Sequence, residues 1–545
     1  MEVRSANRAR WGRETLAESD VIIVGAGHNG LVCAYYLAAR GLRVTMIERR
    51  AMVGGAAVTE EFAPGFRNST ASYTVSLLNP RIIEDMRLYE HGLKVVLRKV
   101  DNFLPTRGGD HILGGRDGLT RREIARHSPA DAEAYDDYSK ALDSVVAVLR
   151  QWILRAPPNA GGGLGDLFAL LKLGGGIGRL PIEEQRHLLD FFTKSAGEIL
   201  RRYFRHDLVQ ALFGFDAVVG NYASPEAPGS AYVLLHHVFG EAAGVPGAWG
   251  HAISGMGAIT QAMAKACREK GVEIVLDAPV EEIVVEGGKA AGVVAGGRTW
   301  RARAVAANVH PKLLFGALLP EGAVGPDVAR HMAGWASESA TFRMNVALSE
   351  LPRFTSLPEP GDHLTAGIIV APSLAYMDRA WVTARAGPWS AEPIVEMLIP
   401  STLDDSLAPE GRHVASLFCQ HFPYQVAGGW DARREEAADH IIATVDAYAP
   451  GFAQSVIARS PLSAVDLERR FGLVGGDIFH GRMSLDQLFS ARPMLGHADH
   501  RMPLPGLYLC GSGAHPGGGV TGAPGHNAAR AILADRRRLK LGRLR

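Results

Sequence analysis

The chain has 545 residues, of which 47% are hydrophobic and 21% are charged, so it is long enough for two or three domains with buried cores. A formal net charge of +1 provides no overall field that would favour nucleic acid or an acidic partner. The four cysteines include no CxxC pair, which argues against a zinc ribbon and a redox-active dithiol, and no apolar run is long enough to cross a membrane. Residues 1–19 contain four arginines and three glutamates without an apolar core, and we expect a disordered tail there rather than a secretory signal.

The first predicted elements, between residues 21 and 55, follow the order strand, glycine-rich turn, helix, strand and acid. Gly25 permits the tight turn, Gly27 lets the backbone approach a pyrophosphate, and Gly30 lets the helix pack closely on the strand. His28 and Asn29 stand at the start of the helix, whose free N–H groups and positive dipole end can hold phosphate. This arrangement predicts a dinucleotide-binding βαβ unit.

Glu48 ends the second strand, about 20 residues after the turn, where a carboxylate can accept hydrogen bonds from ribose hydroxyls. A carboxylate there disfavours the 2′-phosphate of NADP, although Arg49 leaves that cofactor open. The pair Gly54 and Gly55 would let a second loop pass close to a long cofactor, and Ala56 follows directly. This pattern resembles the FAD site of the amine oxidase and phytoene desaturase superfamily.

Residues 120–215 show apolar residues at helical spacing, with an interruption between residues 157 and 165. We expect the apolar stretches 152–154 and 167–173 to pack within this helical subdomain. The alternative is that they line a substrate tunnel or touch a membrane surface.

Two further stretches are candidates for pocket walls. Residues 61–80 are rich in small and hydroxyl residues and can run back under a flavin ring, with Ser72 and Tyr73 as contacts, or form an ordinary loop. In residues 213–249 the adjacent histidines do not share one helix face, so a metal site is not expected and a hydrogen-bonded core histidine is the default. The polar residues that interrupt apolar sequence in this stretch are Asp216, Asn221, Tyr222, His236 and His237.

From residue 250 the α/β pattern returns, with an amphipathic helix over residues 255–271 and short strands joined by glycine turns up to residue 310. The stretch Ala340–Ser349 predicts a strand of the second domain. Near the C-terminus, a strand over Leu507–Cys510 leads through a glycine-rich turn into a helix from about Ala523. Backbone N–H groups at this helix start can stabilise negative charge on a reduced flavin. The candidate cofactor contacts in the turn are Gly511, Ser512, Val520, Thr521 and Ala523.

These patterns predict an α/β protein with a discontinuous Rossmann-type FAD-binding domain. Its parts are expected at residues 20–100, 250–315 and 495–537. An α+β substrate domain with a mixed or antiparallel sheet and a helical subdomain is expected at residues 101–249 and 316–494. Residues 538–545 form a basic tail.

The two ends of the chain resemble phytoene desaturase-type flavoproteins in the segments GAGHNGLVCAYYLAARG, ERRAMVGGAAVTEE and GLYLCGSGAHPGGGVTGAPG. The interior closely resembles the pyridine nucleotide-disulfide oxidoreductase domain-containing protein 2 family in SPEAPGSAYVLLHHVFG, GAWGHAISGMGA and DLERRFGLVGGDIFHGRMSLDQLFSARP. The resemblance extends from about Asp20 to Leu533 and implies FAD as the cofactor, with the backbone of Val280 at the adenine. A disulfide reductase needs a dithiol beside the flavin, and none is visible, so we interpret the family name as a domain label.

Two positions depart from the amine oxidases that the resemblance also includes. Those enzymes have a lysine at the position of Arg343, where it holds a water near flavin N5. Arginine stays charged and cannot act as a general base, so the expected role of Arg343 is electrostatic or structural. Ala56 stands where amine oxidases carry an arginine. Both departures argue against amine-oxidase chemistry.

We therefore expect an FAD-dependent dehydrogenase or desaturase that transfers hydride from an apolar, lipid- or polyene-like substrate to flavin N5. A flavin-dependent double-bond isomerase and a non-catalytic, FAD-stabilised binding or regulatory protein are the alternatives. The catalytic candidates are His515, Tyr73 and Arg343, and the candidate pocket residues are His236, His237 and His480.

The expected partner is an apolar small molecule, with no nucleic acid and no metal, and with a peripheral membrane contact as a further alternative. The electron acceptor and the oligomeric state stay open. Four dispersed cysteines fit a reducing compartment, so we expect a cytoplasmic protein, or a mitochondrial one in a eukaryote.

Overall fold

The computed structural model describes residues 18–540, with side chains described as far as residue 536. Most of the predicted N-terminal tail and the end of the predicted basic tail lie outside these residues. The helices are α1 His28–Ala38, α2 Pro80–Asp85, α3 Leu119–His127, α4 Pro129–Ile153, α5 Leu164–Gly178, α6 Ile182–Thr193, α7 Ala196–Tyr203, α8 Asp207–Gly214, α9 Ser230–His237, α10 Gly257–Glu269, α11 Pro311–Leu313, α12 Pro326–Gly334, α13 Leu374–Ala386, α14 Trp430–Asp446, α15 Phe452–Ser455, α16 Ala464–Phe471 and α17 Ala523–Lys540. The strands are β1 Ser19–Val24, β2 Val44–Ile47, β3 Thr59–Ala63, β4 Phe66–Ser69, β5 Val95–Leu97, β6 Asn102–Pro105, β7 His111–Gly114, β8 Glu241–Ala242, β9 Val245–Pro246, β10 Gly250–Ala252, β11 Glu273–Val275, β12 Val280–Glu286, β13 Lys289–Ala295, β14 Arg298–Ala307, β15 Thr341–Leu348, β16 Gly367–Val370, β17 Ile394–Leu398, β18 His413–Gln420, β19 Val456–Leu462 and β20 Leu507–Leu509.

The first sheet is the predicted Rossmann-type layer. Its parallel strands follow the order β11, β2, β1, β14, with β20 beside the end of β14 and the β12–β13 hairpin beside the start of β14. The apolar residues of β1 are almost fully buried because helices α1, α10 and α17 cover one face and the segment 311–334 covers the other. A strand buried on both faces reads as a continuous apolar run, which is the pattern of β1.

The second sheet has the order β19, β15, β18, β17, β16, β6, β7, and its neighbours are antiparallel except for β16 and β6. The predicted mixed sheet is therefore confirmed. All eight residues of β15 are buried. Phe342 and Met344 pack in the core under α14, whereas Arg343 and Asn345 point to the other face, as the two-residue period of a strand requires.

The helical subdomain consists of α3, α4 and α6–α9 around an apolar core that also contacts β6 and α13. The predicted interruption between residues 157 and 165 separates α4 from α5. The expected packing of residues 167–173 is wrong, because no residue of α5 is buried. The helix is held near its start, where Asp166 Oδ1 accepts a hydrogen bond from the Asn159 amide at 2.9 Å, and no described element buries any of its residues.

The chain passes repeatedly between the two sheets. The first sheet takes strands from residues 19–47, 273–307 and 507–509, and the second takes strands from residues 102–114 and 341–462. Within the described residues, no helix combines the length and apolarity that crossing a bilayer requires.

Candidate active site

A cavity of about 440 Å³ is lined by residues from both sheets. The turn between β1 and α1 contributes Gly25, Gly27 and His28, while β17 and β18 contribute Glu396 and Phe418. This volume is typical of small-molecule sites. The glycine-rich turn therefore shares one cavity with the second sheet.

The glycine-rich turn is shaped by Asn308, which follows β14. A Cβ atom on Gly25 would lie 2.9 Å from the Asn308 carbonyl oxygen, and Gly25 has a φ of +93°. A Cβ atom on Gly30 would lie 2.4 Å from the Gly25 carbonyl oxygen, so this position tolerates only glycine. Gly27 is the N-cap of α1 and has no side chain to cap it, which leaves the first N–H groups of the helix for a ligand.

Glu48 lies at the end of β2, as the sequence predicts, and lines the cavity. Its carboxylate oxygens accept hydrogen bonds from the Ala26 amide at 2.7 Å and the Arg50 amide at 2.9 Å, which fixes their orientation. The neighbouring arginines also line the cavity, but their guanidinium groups have other partners. Arg49 donates to the Arg470 carbonyl at 2.9 Å, and Arg50 pairs with Glu60 at 2.8 Å.

The glycine pair passes directly beside the first turn. A Cβ atom on Gly55 would lie 3.2 Å from the Gly27 Cα, and the Gly54 amide donates to the Ala26 carbonyl at 2.8 Å. Ala56 and Val280 line the cavity from the same side. The close approach of the two backbone segments at this point is the physical reason for the glycine pair Gly54 and Gly55.

The C-terminal turn closes the cavity on another side. Ser512 and Val520 line it, and Ser512 Oγ accepts a hydrogen bond from Asn29 Nδ2 at 3.1 Å. The remaining predicted cofactor residues are buried and do not line this cavity, although Thr521 lines a smaller one: Gly30, Gly54, Gly511, Thr521, Ala523 and Asn29.

These residues fit an FAD molecule. They supply two close backbone approaches, an uncapped helix start and an oriented carboxylate at the end of β2, where a ribose can bind. His28 adds a buried Nε2 atom without a hydrogen-bond partner in this wall, and burial lowers the pKa of its imidazole to about 4. A neutral imidazole is therefore available to a ligand.

The cavity wall away from the glycine-rich turn is mainly apolar, with Leu77, Phe215, Phe418, Ile478 and Phe479. Two of the three candidate pocket histidines also line the cavity. His237 Nδ1 bonds to the Val233 carbonyl at 2.9 Å, and burial lowers its pKa to about 4. His480 has a φ of +60° and an unpartnered Nδ1, and burial lowers its pKa to about 3.

Tyr73 joins this wall to the second sheet. Its hydroxyl donates to Glu396 Oε2, and its ring stacks on Phe418 with centroids 5.0 Å apart. Arg343 lies over the Tyr73 ring, with Cζ 4.6 Å from the centroid, and is 2% exposed. It donates to the Leu417 carbonyl at 2.9 Å and does not line the cavity, so it can act on the cavity only through neighbours such as Tyr73 and Phe418.

Two acidic residues also line this wall: Asp216, in the stretch 213–249 that the sequence offers as a pocket wall, and Glu396, which the sequence analysis did not single out. Burial raises the pKa of Asp216 to about 8, and the nearby Glu396 carboxylate adds to the effect. Burial also raises the pKa of Glu396, but the hydrogen bond from Tyr73 and the charges of Arg98 and Arg343 oppose the rise. In the sequence, Glu396 is the one charged residue in the apolar run IVEML, and a charged residue in such a run indicates a candidate functional residue.

Two predicted residues lie elsewhere. His515 does not line the cavity; its Nε2 bonds to the Trp152 carbonyl at 3.2 Å, and burial lowers its pKa to about 3. His236 lines a second, smaller cavity of about 170 Å³, which shares Leu77 with the first. Among residues 18–540, no group of three or more potential ligands could hold a metal ion.

Comparison with known proteins places this geometry in context. A family model described as flavin containing amine oxidoreductase matches residues 30–338. A rat protein named pyridine nucleotide-disulfide oxidoreductase domain-containing protein 2 is 39% identical over 95% of this chain and 94% of its own length. One of the subunits of limonene dehydrogenase from Castellaniella defragrans is 26% identical over 95% of each chain, and prolycopene isomerase of Arabidopsis thaliana is 25% identical over 96% of this chain and 84% of its own.

Solved structures share the fold at lower identity. Putrescine oxidase bound to putrescine superimposes with a TM-score of 0.59 at 17% identity, covering 96% of this chain and all of that one. An oxidoreductase from Methanosarcina mazei has a TM-score of 0.56 at 15% identity, covering 94% of this chain and 99% of that one.

Proposed function

Since the chain belongs to the family of flavin-containing amine oxidoreductases, with FAD as its cofactor, we propose that it is a dehydrogenase or desaturase of an apolar substrate. The supporting observation is the continuity of the cavity, in which the glycine-rich turn and a set of large apolar side chains line one volume. An apolar molecule gains about 25 cal/mol for each Å² it buries in such a wall.

FAD, when bound, supplies the acceptor for a hydride from the substrate. The protein itself must orient the substrate, exclude water and accept the proton that the substrate loses together with the hydride. Phe215, Phe418 and Phe479 form the apolar surface for the first two tasks.

Asp216 is our candidate for the base that accepts the proton lost by the substrate, a task for its ionised carboxylate, whose fraction grows as pH rises towards about 8. Its carboxyl has no hydrogen-bond partner among the described residues and lines the cavity. Tyr73 and Glu396 are hydrogen-bonded to each other, and the Arg343 guanidinium packs on the Tyr73 ring. These contacts fix the orientation of the Tyr73 and Glu396 side chains in the wall near Asp216.

Relatives support the apolar character of the substrate. Two of them carry names that refer to limonene and to prolycopene, which are hydrocarbons. The second name also keeps double-bond isomerisation as the alternative reaction.

The test is to mix purified, FAD-loaded protein anaerobically with a terpene, a polyene and a long-chain acyl lipid in separate experiments. We expect one class to remove the absorbance of the oxidised flavin and to yield a product lighter by two hydrogen atoms. The same substrate should reduce Asp216→Asn at least tenfold more slowly, whereas Asp143→Asn, on the exposed side of α4, should match the wild type.

Three results would count against this proposal. A product of unchanged mass, formed only after the flavin has been reduced chemically, would identify an isomerase. Failure of all three classes with intact FAD binding would favour a binding role. Equal rates for Asp216→Asn and the wild type would remove Asp216 from the reaction.

A further inference from the structure

Helix α5 reverses the usual arrangement of a surface helix. On such a helix the apolar face packs inward, but no residue of α5 is buried. At 100° per residue, the four most exposed of its large apolar side chains fall within an arc of about 100°. They are Leu164, 75% exposed, Phe168, 69%, Leu171, 63%, and Leu167, 51%.

The next helix also exposes large apolar side chains. On α6, Ile182 and Leu189 are 71% and 63% exposed and lie seven residues apart, on one face, while Phe191 is buried on the opposite side. Gln185 Nε2 donates to the Leu180 carbonyl at 2.8 Å, which ties α6 to the end of α5. We call the side chains of Leu164, Leu167, Phe168, Leu171, Ile182 and Leu189 the α5–α6 surface.

The concentration of apolar side chains is local. Of the twelve large apolar side chains that are exposed in the described part of the chain, seven lie between residues 164 and 189. Scattered exposed apolar residues are ordinary on a protein surface, whereas a contiguous patch marks an interaction site.

Exposed cations accompany the α5–α6 surface. Lys172, Arg179 and Arg186 form no ion pair with any other described residue, and Arg186 lies between Ile182 and Leu189 on their face of α6. Other arginines of the same subdomain are paired, such as Arg201 with Glu226. The acidic Glu183 and Glu184 lie about 100° and 200° around the helix from Ile182, away from that face.

We propose that the α5–α6 surface docks the protein on an anionic lipid bilayer, with α5 lying in the interface between headgroups and acyl chains. A helix of 15 residues is about 22 Å long, too short to cross a bilayer, but apolar residues flanked by lysine and arginine are typical of helices that lie in the interface. Each cation near an anionic surface adds to the attraction.

A second copy of this chain fits the surface less well. A symmetric dimer brings the same patch of each copy together, so the three unpaired cations would lie near the same three cations of the other copy. Like charges brought together in this way repel each other. The docking does not depend on which reaction the cavity supports.

The test uses the full-length, FAD-loaded protein and vesicles of phosphatidylcholine, either pure or with one-third phosphatidylglycerol. We expect co-flotation with the anionic vesicles at least tenfold above that with the neutral ones. The variant Leu164→Ser/Phe168→Ser/Leu171→Ser should lose binding at least tenfold, and Lys172→Glu/Arg186→Glu should lose the preference for phosphatidylglycerol. Because all five side chains are exposed, flavin content should not change in either variant.

Tyr89→Ser/Ile457→Ser is the matched control, since Tyr89, after α2, is 51% exposed and Ile457, on the edge strand β19, is 52% exposed, and it should float like the wild type. Equal flotation of the triple variant and the wild type would overturn the proposal, as would no flotation of the wild type. A wild-type dimer that the triple variant converts to monomers, without vesicle binding, would assign the surface to a second copy.

Discussion

The carboxyl groups of Asp216 and Glu396 lie in the same cavity wall but have different hydrogen-bond partners and neighbouring charges. Glu396 accepts a hydrogen bond from Tyr73 and lies near the charges of Arg98 and Arg343, whereas Asp216 has burial without a partner. A carboxyl whose pKa is raised to about 8 is mostly protonated at neutral pH, so the ionised form that can accept a proton from the substrate grows as pH rises towards 8.

The pH dependence of stability tests this state of Asp216. The unfolded chain ionises near pH 4 and the folded one near pH 8, so the folded state holds the proton over that interval. The free energy of unfolding contributed by Asp216 therefore falls as pH rises from 4 to 8. We expect Asp216→Asn to gain stability over the wild type with rising pH, by at most about 1.4 kcal/mol per pH unit.

Urea unfolding of both proteins at pH 5, 6, 7 and 8 measures this difference. Asp143→Asn, an exposed carboxamide on α4, should keep a constant offset from the wild type across the series. A constant offset for Asp216→Asn as well would show that its carboxyl is already ionised at pH 5.

The residues of the glycine-rich turn could be predicted because their constraints are local. Gly25, Gly27 and Gly30 are required by a turn and a helix that lie next to each other in sequence. Glu396 could not be placed in the same way, since its meeting with Tyr73 depends on how β17 pairs within the second sheet. The sequence predicts a catalytic role for His515 from its place in the C-terminal turn. Its Nε2 atom is instead hydrogen-bonded to the carbonyl of Trp152 in α4, which the sequence could not indicate.

At the scale of elements, the start of α1 depends on the absence of a side chain at Gly30. Its Cβ would lie 2.4 Å from the Gly25 carbonyl oxygen, a backbone atom that cannot move without opening the turn. We expect Gly30→Ala to lose most of its bound FAD and to be destabilised by about 2 kcal/mol or more.

Gly174→Ala is the matched control for Gly30→Ala. Gly174 is also in a helix, but no atom lies within 4 Å of where its Cβ would be. This variant should retain full flavin content and gain up to about 1 kcal/mol from helix propensity. Flavin-to-protein absorbance ratios and thermal unfolding measure both effects, and equal flavin content in the two variants would contradict the close approach at Gly30.

Helices and strands with strong periodicity were predictable, including β15 within one residue at each end and α17 from its first residue. Helix α5 shows the limit of such reasoning. Its apolar spacing predicts a helix, but whether an apolar helix is covered depends on what packs against it, and nothing within α5 itself carries that information.

At the scale of the whole molecule, Asp404 connects the segment that enters α10 with the second sheet. Its Oδ2 accepts hydrogen bonds from His251 Nε2 at 3.0 Å and from the Ser254 amide at 2.6 Å. Burial alone would raise the pKa of Asp404, but these bonds and those from Ser406 outweigh it and lower the pKa to about 2.

The stability due to Asp404 is present above its unfolded pKa near 4 and is lost as pH falls through about 2. We expect Asp404→Asn to lower the free energy of unfolding at pH 7 by about 2 kcal/mol. The deficit should stay constant from pH 7 to 5 and shrink below pH 4. The neighbouring, exposed Asp405→Asn is the control, and a deficit that is as large at pH 3 as at pH 7 would contradict the ionised state of Asp404.

The discontinuous arrangement of the first sheet has a consequence for biosynthesis. β20 pairs with β14, and α17 packs on α1, so the wall that includes Ser512 and Val520 forms only when residues 507–540 are present. These residues are synthesised long after the glycine-rich turn, which lies near residue 25. A nascent chain that has not yet reached these residues therefore carries an incomplete flavin cradle.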